Sequence, residues 1–351
     1  MTTRLEKNLT GCFRSFIEIF RKRLAENRPE SQSCFQIADR QIRIFFSQPA
    51  FAQALAPAFD HLSQDKKENI DLEIFVWDND DDEFTAFTSV LKDPKQFRNH
   101  HGYYGFFNES LHLYYAYFDG IKSCSLYDEE TNQAGFWIED AANIPYYEKA
   151  CPFRFIFQWW LRRNGGQLIH AGAVGNQQGG VLITGRDGAG KSSTCLSCLE
   201  NGMLYASDDY TALSLNPLPR AHSLYNSLKL DEHGLNRFAH WKKRFEEQSM
   251  RGPDKAAIFL HRYFPEKIVS GFPITAIVLP RVSDLRISKL SRVSPAESLR
   301  RLAPGTLFQM RVANQNDFQF LKELVNRLPS YCLDLGTDTA SVREAVAGLL
   351  R

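Results

Sequence analysis

Residues 185–192 read Gly-Arg-Asp-Gly-Ala-Gly-Lys-Ser, a complete G-x-x-x-x-G-K-[ST] octapeptide. The apolar run Gly180-Val181-Leu182-Ile183-Thr184 precedes it, and Ser193-Thr194-Cys195-Leu196-Ser197-Cys198-Leu199 follows. Strand, glycine loop and helix form the context in which this motif wraps phosphate. Gly185, Gly188 and Gly190 can take positive φ, which lets backbone N–H groups turn inward around phosphate oxygens. The start of the helix near Lys191 aims its positive end at the same charge. The spacing assigns Gly185, Asp187, Gly188, Ala189, Gly190, Lys191, Ser192 and Ser193 to the binding of a nucleoside triphosphate, with ATP expected. Lys191 is placed to reach the β- and γ-phosphates. The Ser192 hydroxyl is the expected Mg²⁺ ligand, with phosphate oxygens and water completing the shell.

A chain of 351 residues is long for one hydrophobic core and points to two domains. A net charge of +1 gives no bulk electrostatic case for nucleic acid or an anionic membrane surface. No apolar run approaches the roughly 20 residues of a transmembrane helix. The N-terminus lacks the apolar segment of a signal peptide. Seven scattered cysteines fit a reducing compartment, so a cytoplasmic protein is expected. Cys195 and Cys198 lie one helical turn apart with no second pair near them, and read as core residues rather than a zinc site.

Residues 1–145 read as an α+β domain with an antiparallel sheet. Phe13, Phe16, Ile17, Phe20 and Leu24 recur at helical spacing and predict an amphipathic helix docked on that domain. Strands are expected over 34–46, with a turn at Asp39-Arg40, and over 72–77. A helix is expected over 49–62. Short strands separated by turn signals follow over 103–107, 111–118, 123–127 and 134–138. The acidic stretch from Asp78 to Glu83 reads as a solvated loop. A second domain, 146–351, is expected to open with the aromatic helix 152–163, its Trp159-Trp160 pair buried between the domains. A β-hairpin leads from there into the glycine loop.

Downstream, Leu204-Tyr205-Ala206-Ser207-Asp208-Asp209 is a short strand ending in two aspartates. An acidic residue at a neighbouring strand's end is where phosphate-loop enzymes hold Mg²⁺. Two such residues allow a division of labour, one serving the metal and one accepting a proton from an attacking hydroxyl. His170 lies on the strand that feeds the loop. A lone histidine on an apolar strand is commonly a core residue, but the order His170, glycine loop, Asp208-Asp209 is more specific than any one part.

With Leu168-Ile169-His170-Ala171, Gly180 to Thr184, Gly190-Lys191-Ser192-Ser193 and Ala206-Ser207-Asp208-Asp209-Tyr210 in this order, the chain resembles the catalytic domain of HPr kinase/phosphorylase and the wider set of HPr-kinase-like serine kinases. Pro219 to Leu230 and Ala303-Pro304-Gly305-Thr306-Leu307-Phe308-Gln309 are similar to stretches in a bacterial branch that includes peptide-tailoring kinases. The resemblance implies an α/β phosphate-loop (P-loop) kinase domain of the phosphoenolpyruvate carboxykinase-like type. It implies ATP-dependent phosphorylation of a serine hydroxyl, with Asp209 as general base, Asp208 as its metal-side partner and His170 adjoining the base. It also leaves room for a homo-oligomer. Ile169-His170-Ala171 replaces the usual Met-His-Gly, and the Gly-rich segment expected after the aspartates is absent, which counts against HPr itself as acceptor.

Arg281, at the end of the apolar run 274–279, is placed to neutralise the transferring phosphoryl group. Lys229, Arg220 and His222 are further candidates in the loop-rich 216–230 segment. Asp231-Glu232 suits a helix N-terminus, and amphipathic helices are expected over 317–328 and 338–350. The leading expectation is a Mg²⁺- and ATP-dependent kinase acting on the serine of a peptide, protein or small molecule. The alternatives are an ATP-binding regulator or adaptor without phosphotransfer, and a carboxykinase-like enzyme.

Overall fold

The computed structural model describes residues 11, 13–22, 32–65, 69–78, 103–108, 112–309 and 315–350. The chain divides into two compact units, Met1–Pro57 with Ser63–Arg163, and Ala58–Leu62 with Asn164–Arg351.

The first unit holds β1 (Gln32–Ile37), β2 (Arg40–Phe46), β3 (Leu72–Trp77), β4 (Tyr103–Asn108), β5 (Leu113–Phe118), β6 (Ser123–Asp128) and β7 (Gln133–Ile138). They form one sheet in the order β1-β2-β3-β7-β6-β5-β4. The hairpin β1–β2 and the meander β4 to β7 are antiparallel, as their turn signals require. The sheet as a whole is not. Strand β3 runs parallel to both β2 and β7, so the sheet is mixed. The connection from β2 to β3 carries the helix Pro49–Leu55 and the 3₁₀ segment Ala56–Leu62, a crossover long enough to return the chain in the same direction. Alternation of side chains carries no information on strand direction.

The helix over 13–22 buries Phe13, Phe16, Ile17 and Phe20 in the same core as Phe75, Trp77 and Trp137. The Phe16 and Trp77 rings lie 4.1 Å apart. Gly135 admits this packing, because a Cβ there would come within 2.9 Å of the Trp77 ring. Leu24 and residues 79–83 lie outside the described residues. Asp78 is buried and accepts a hydrogen bond from Gln48 Nε2 at 2.5 Å. The helix Arg154–Arg163 buries both tryptophans, and Trp159 stacks on Tyr114 of β5 at 5.3 Å. Residues 146–163 belong to the first compact unit, which ends at Arg163, whereas the sequence pattern places the boundary after residue 145.

The second unit contains β8 (Gly166–Ile169), β9 (Ala171–Asn176), β10 (Gly179–Thr184), β11 (Leu204–Ser207), β12 (Thr211–Ser214), β13 (Arg220–His222), β14 (Ser227–Asp231), β15 (Met250–Arg251), β16 (Lys255–Phe259), β17 (Gly271–Val282), β18 (Lys289–Val293) and β19 (Ser330–Leu335). The main sheet runs β11-β9-β10-β17-β13-β12-β8, with β19 beside β17 and β18 beside β19. Strands β10, β17 and β19 are parallel neighbours. All of β10 is buried, as its unbroken apolar run demands of a strand covered on both faces. Val181 and Ile183 pack with Cys195, Leu199, Val342 and Val346 of the helices Lys191–Glu200 and Thr339–Ala347. Leu182 points the other way, into a cluster with Leu302, Leu321 and Leu324 of the helices Pro295–Gln309 and Gln315–Arg327. The unit is thus α/β, with helices on both faces of a mixed sheet.

Candidate functional site

The glycine loop closes between β10 and the helix Lys191–Glu200. Gly188 and Gly190 hold φ of +74° and +98°, backbone that a side chain would strain. A Cβ on Gly190 would also crowd Leu335 Cδ1, so the leucine tip would have to shift. Lys191 is buried and its ammonium folds back on the loop, donating to the carbonyls of Gly185 at 3.0 Å and Arg186 at 3.3 Å. Asp187 Oδ1 lies 3.8 Å from the same ammonium.

His170 occupies a break between strands. β8 pairs with β12, whereas β9 pairs with β10 and β11, so the chain changes neighbours at residue 170. Side chains hold its backbone there. Its N–H donates to Thr306 Oγ1 at 3.2 Å, and its carbonyl accepts from Thr184 Oγ1 at 3.2 Å. Asp208 and Asp209 form the bend between β11 and β12. His170 Nδ1 lies 3.3 Å from Asp209 Oδ1, and His170 Nε2 lies 3.7 Å from Asp187 Oδ1 of the loop. The imidazole therefore stands between a loop carboxylate and a strand-end carboxylate, edge-on to Tyr210.

Lys229, on β14, completes the group. Its ammonium meets Asp209 Oδ2 at 2.6 Å, and its backbone N–H donates to Asp208 Oδ2 at 3.1 Å. One residue thus binds both aspartates. Burial pushes the Asp208 carboxyl up to about 6, with the Asp209 charge adding to the rise and the Lys229 N–H and Ser192 hydroxyl opposing it. Burial works to raise Asp209 as well. The Lys229 ammonium, joined by His170 and Lys191, outweighs it and holds Asp209 well below the usual carboxylate range. His170, with help from Lys191, keeps Asp187 at about 2. Neighbouring carboxylates with such different affinities for a proton can divide acid–base work between them.

Two cavities flank the loop. The first, about 80 Å³, is lined by Asp187, Lys191, Ser192, Asp209, Lys229 and Lys255, among others. The second, about 430 Å³, lies on the β17 side and is lined by Gly185, Arg186, Arg281, Arg300, Arg301 and Gly305, among others. Arg281 therefore faces a different cavity from Asp209. It pairs with Asp334 at 2.5 Å, which raises the guanidinium pKa further. His222 bonds Ser214 at 3.0 Å across the β12–β13 pair and Arg220 reaches the Gly271 carbonyl, and neither lines these cavities. Asp231 caps the helix Glu232–Arg237 through the Gly234 N–H at 2.7 Å, as its sequence position suggests. Cys195 and Cys198 are buried core residues, and burial pushes the Cys198 thiol up to about 12.

The residues suit a Mg²⁺–triphosphate group. Asp208 Oδ1 is buried and makes no hydrogen bond, while Ser192 acts on the same carboxylate. Such an orphaned acceptor is costly unless a cation or donor meets it. Among the described residues, no three His, Cys, Asp or Glu side chains cluster to hold a metal by themselves. Mg²⁺ does not need them, because it commonly takes one or two protein ligands together with phosphates and water.

The chain matches no family model and no curated protein. Among solved structures it is similar to the HPr(Ser) kinase/phosphatase from Coxiella burnetii, with 13% identity over 52% of this chain and 95% of that one, at a TM-score of 0.30. So distant a likeness carries no weight for the chemistry, which rests on the residues themselves. No helix among the described residues is long and apolar enough to cross a membrane.

Proposed function

We propose that the chain is a kinase that moves the γ-phosphoryl group of ATP to a serine hydroxyl of a peptide, protein or small molecule. The observation that carries the reading is the Asp209 carboxylate, fixed beside the loop by Lys229 at 2.6 Å and His170 at 3.3 Å.

Backbone N–H groups of 185–190 and the Lys191 ammonium hold the β- and γ-phosphates. Ser192 and Asp208 would hold Mg²⁺, which when bound neutralises charge on the phosphates. Asp209 orients the acceptor hydroxyl and takes its proton as the serine oxygen bonds to the γ-phosphorus. The bond from that phosphorus to the β–γ bridging oxygen breaks, and ADP leaves with the electron pair.

A carboxylate held well below the usual range is a weak base. Phosphoryl transfer tolerates this, because its loose transition state asks for positioning and charge stabilisation more than for a strong nucleophile. Lys229 keeps Asp209 ionised, and His170 limits the directions in which the carboxylate can turn. The carboxylate also separates this reading from a pure nucleotide binder, which needs no proton acceptor beside the phosphates.

The test is transfer of label from γ-labelled ATP to free serine, HPr and serine-containing peptides in parallel, with Lys191→Ala as the control that removes phosphate binding. Label on any of the three, lost in Lys191→Ala, supports the reading. ATP binding without transfer to any acceptor supports the adaptor instead.

A further inference from the structure

We infer that the larger cavity, on the β17 side of the loop, is the acceptor's site, and that the acceptor carries a carboxylate or phosphate group close to the hydroxyl that reacts. The inference rests on the kinase reading above and names its substrate class.

The lining is unusually cationic. Arg186, Arg281, Arg300 and Arg301 all face this cavity. Two carboxylates partner them, Asp334 on Arg281 and Glu297 on both Arg300 and Arg301. Two positive charges are therefore left over for a ligand. Donors are left over as well. Arg281 meets Asp334 through Nε, which leaves both terminal nitrogens of a guanidinium whose side chain is 59% exposed. Arg300 engages Glu297 through Nε and Nη2 and keeps Nη1. A guanidinium fork matches the oxygens of a carboxylate or phosphate.

The cavity also borders the backbone that holds His170. Gly185 and Gly305 line it, and a Cβ on Gly305 would lie 3.4 Å from His170 Cδ2 and 3.7 Å from the Gly185 carbonyl. Gly305 therefore packs directly against the buried imidazole that lies 3.3 Å from Asp209 Oδ1. The two cavities share Gly188 and Val282 in their linings and so adjoin at the loop, and a ligand anchored on the arginines would have to extend its hydroxyl around it. A volume of about 430 Å³ accommodates a small molecule or the end of a peptide. Leu279, Pro280, Val282 and Pro304 give the cavity an apolar wall that would also suit a purine. A neutral base, however, has no need of four arginines.

The experiment measures binding to the full chain by calorimetry, in saturating ADP and Mg²⁺. Two pairs of probes differ only in the anionic group: L-serine against L-serinamide, and glycerol 3-phosphate against glycerol. The anionic member of at least one pair should bind on the order of tenfold tighter, and Arg300→Gln and Arg281→Gln should each remove that preference. The pair that shows it identifies carboxylate or phosphate as the group recognised. ADP affinity should be the same in both variants as in the unaltered chain. Both arginines are exposed, and a thermal melt confirms that each variant is folded. Equal binding of charged and neutral probes, no binding of any probe, or a loss of ADP affinity in the arginine variants overturns the inference, the last by placing the nucleotide in this cavity. Failure of the unaltered chain to bind ADP at all would instead count against the kinase reading.

Discussion

Lys229 binds both members of the Asp208-Asp209 pair at once, by its ammonium to Asp209 at 2.6 Å and by its backbone N–H to Asp208 at 3.1 Å. The lysine thereby makes the two carboxylates unequal. The side chains of Lys229 and Asp209 are 10% and 21% exposed, so water screens their attraction only weakly. Lys229→Met should leave Asp209 buried without its main counter-charge and lower the stability of the second unit by about 3 kcal/mol. Urea unfolding at pH 7 measures this. The double variant Lys229→Met/Asp209→Asn should be less destabilised than the sum of the two single changes, because it removes both charges.

Asp208 makes the pH dependence run in an unusual direction. Its folded pKa is raised to about 6 from an ordinary 3.8. Between those values the folded chain binds more protons than the unfolded chain, so this group lowers stability as pH rises. Asp209 is shifted the other way, and its contribution is present above the ordinary carboxylate range and lost as pH falls below it. Asp208→Asn keeps an acceptor for the Lys229 N–H but carries no charge. It should stabilise the chain by up to about 3 kcal/mol at pH 7, and the gain should vanish below about pH 4. Unfolding midpoints at the two pH values check this. A variant more stable than the parent would mean that Asp208 is kept ionised at a cost in stability, as functional carboxylates commonly are.

Thr306 holds the backbone of His170 from a helix more than a hundred residues away in the chain. Thr306→Val preserves shape but leaves a buried N–H without an acceptor, and should cost about 1–3 kcal/mol. Its effect on transfer should exceed its effect on nucleotide affinity, because Thr306 touches the strand break that carries His170 and not the phosphate cradle. Parallel transfer and ADP-binding measurements separate the two effects.

Much of the candidate site is legible in the sequence because its motifs are local. The glycine loop is a contiguous octapeptide, Asp208-Asp209 ends an apolar strand, and His170 precedes the loop on its own hairpin. Lys229 could be picked out only as one basic residue among several. Its meeting with Asp209 comes from the fold that sets β14 beside the β11–β12 bend, and no local pattern encodes it. Arg300, Arg301, Gly305 and Thr306 were missed as site residues for the same reason. Their helix, Pro295–Gln309, lines the larger cavity with Arg300, Arg301, Pro304 and Gly305. The Ala303 to Gln309 stretch singled out by resemblance was the available signal. In the first unit, the strands of the β4 to β7 meander fell close to their expected positions because turn residues punctuate them. The parallel pairing of β3 and the attachment of the Trp159-Trp160 helix to β5 depend on which surfaces meet, which periodicity does not record.

On the kinase reading, Asp209 serves the transfer step and not the binding of nucleotide. Asp209→Asn keeps the size of the side chain and removes its ability to accept a proton. The decisive measurement pairs ADP affinity with label transfer from γ-labelled ATP, on this variant and on the unaltered chain, using whichever acceptor the unaltered chain labels. The account predicts ADP affinity within a few-fold of the original and transfer reduced by about 10²–10⁴-fold. Transfer at a near-original rate in Asp209→Asn would contradict it.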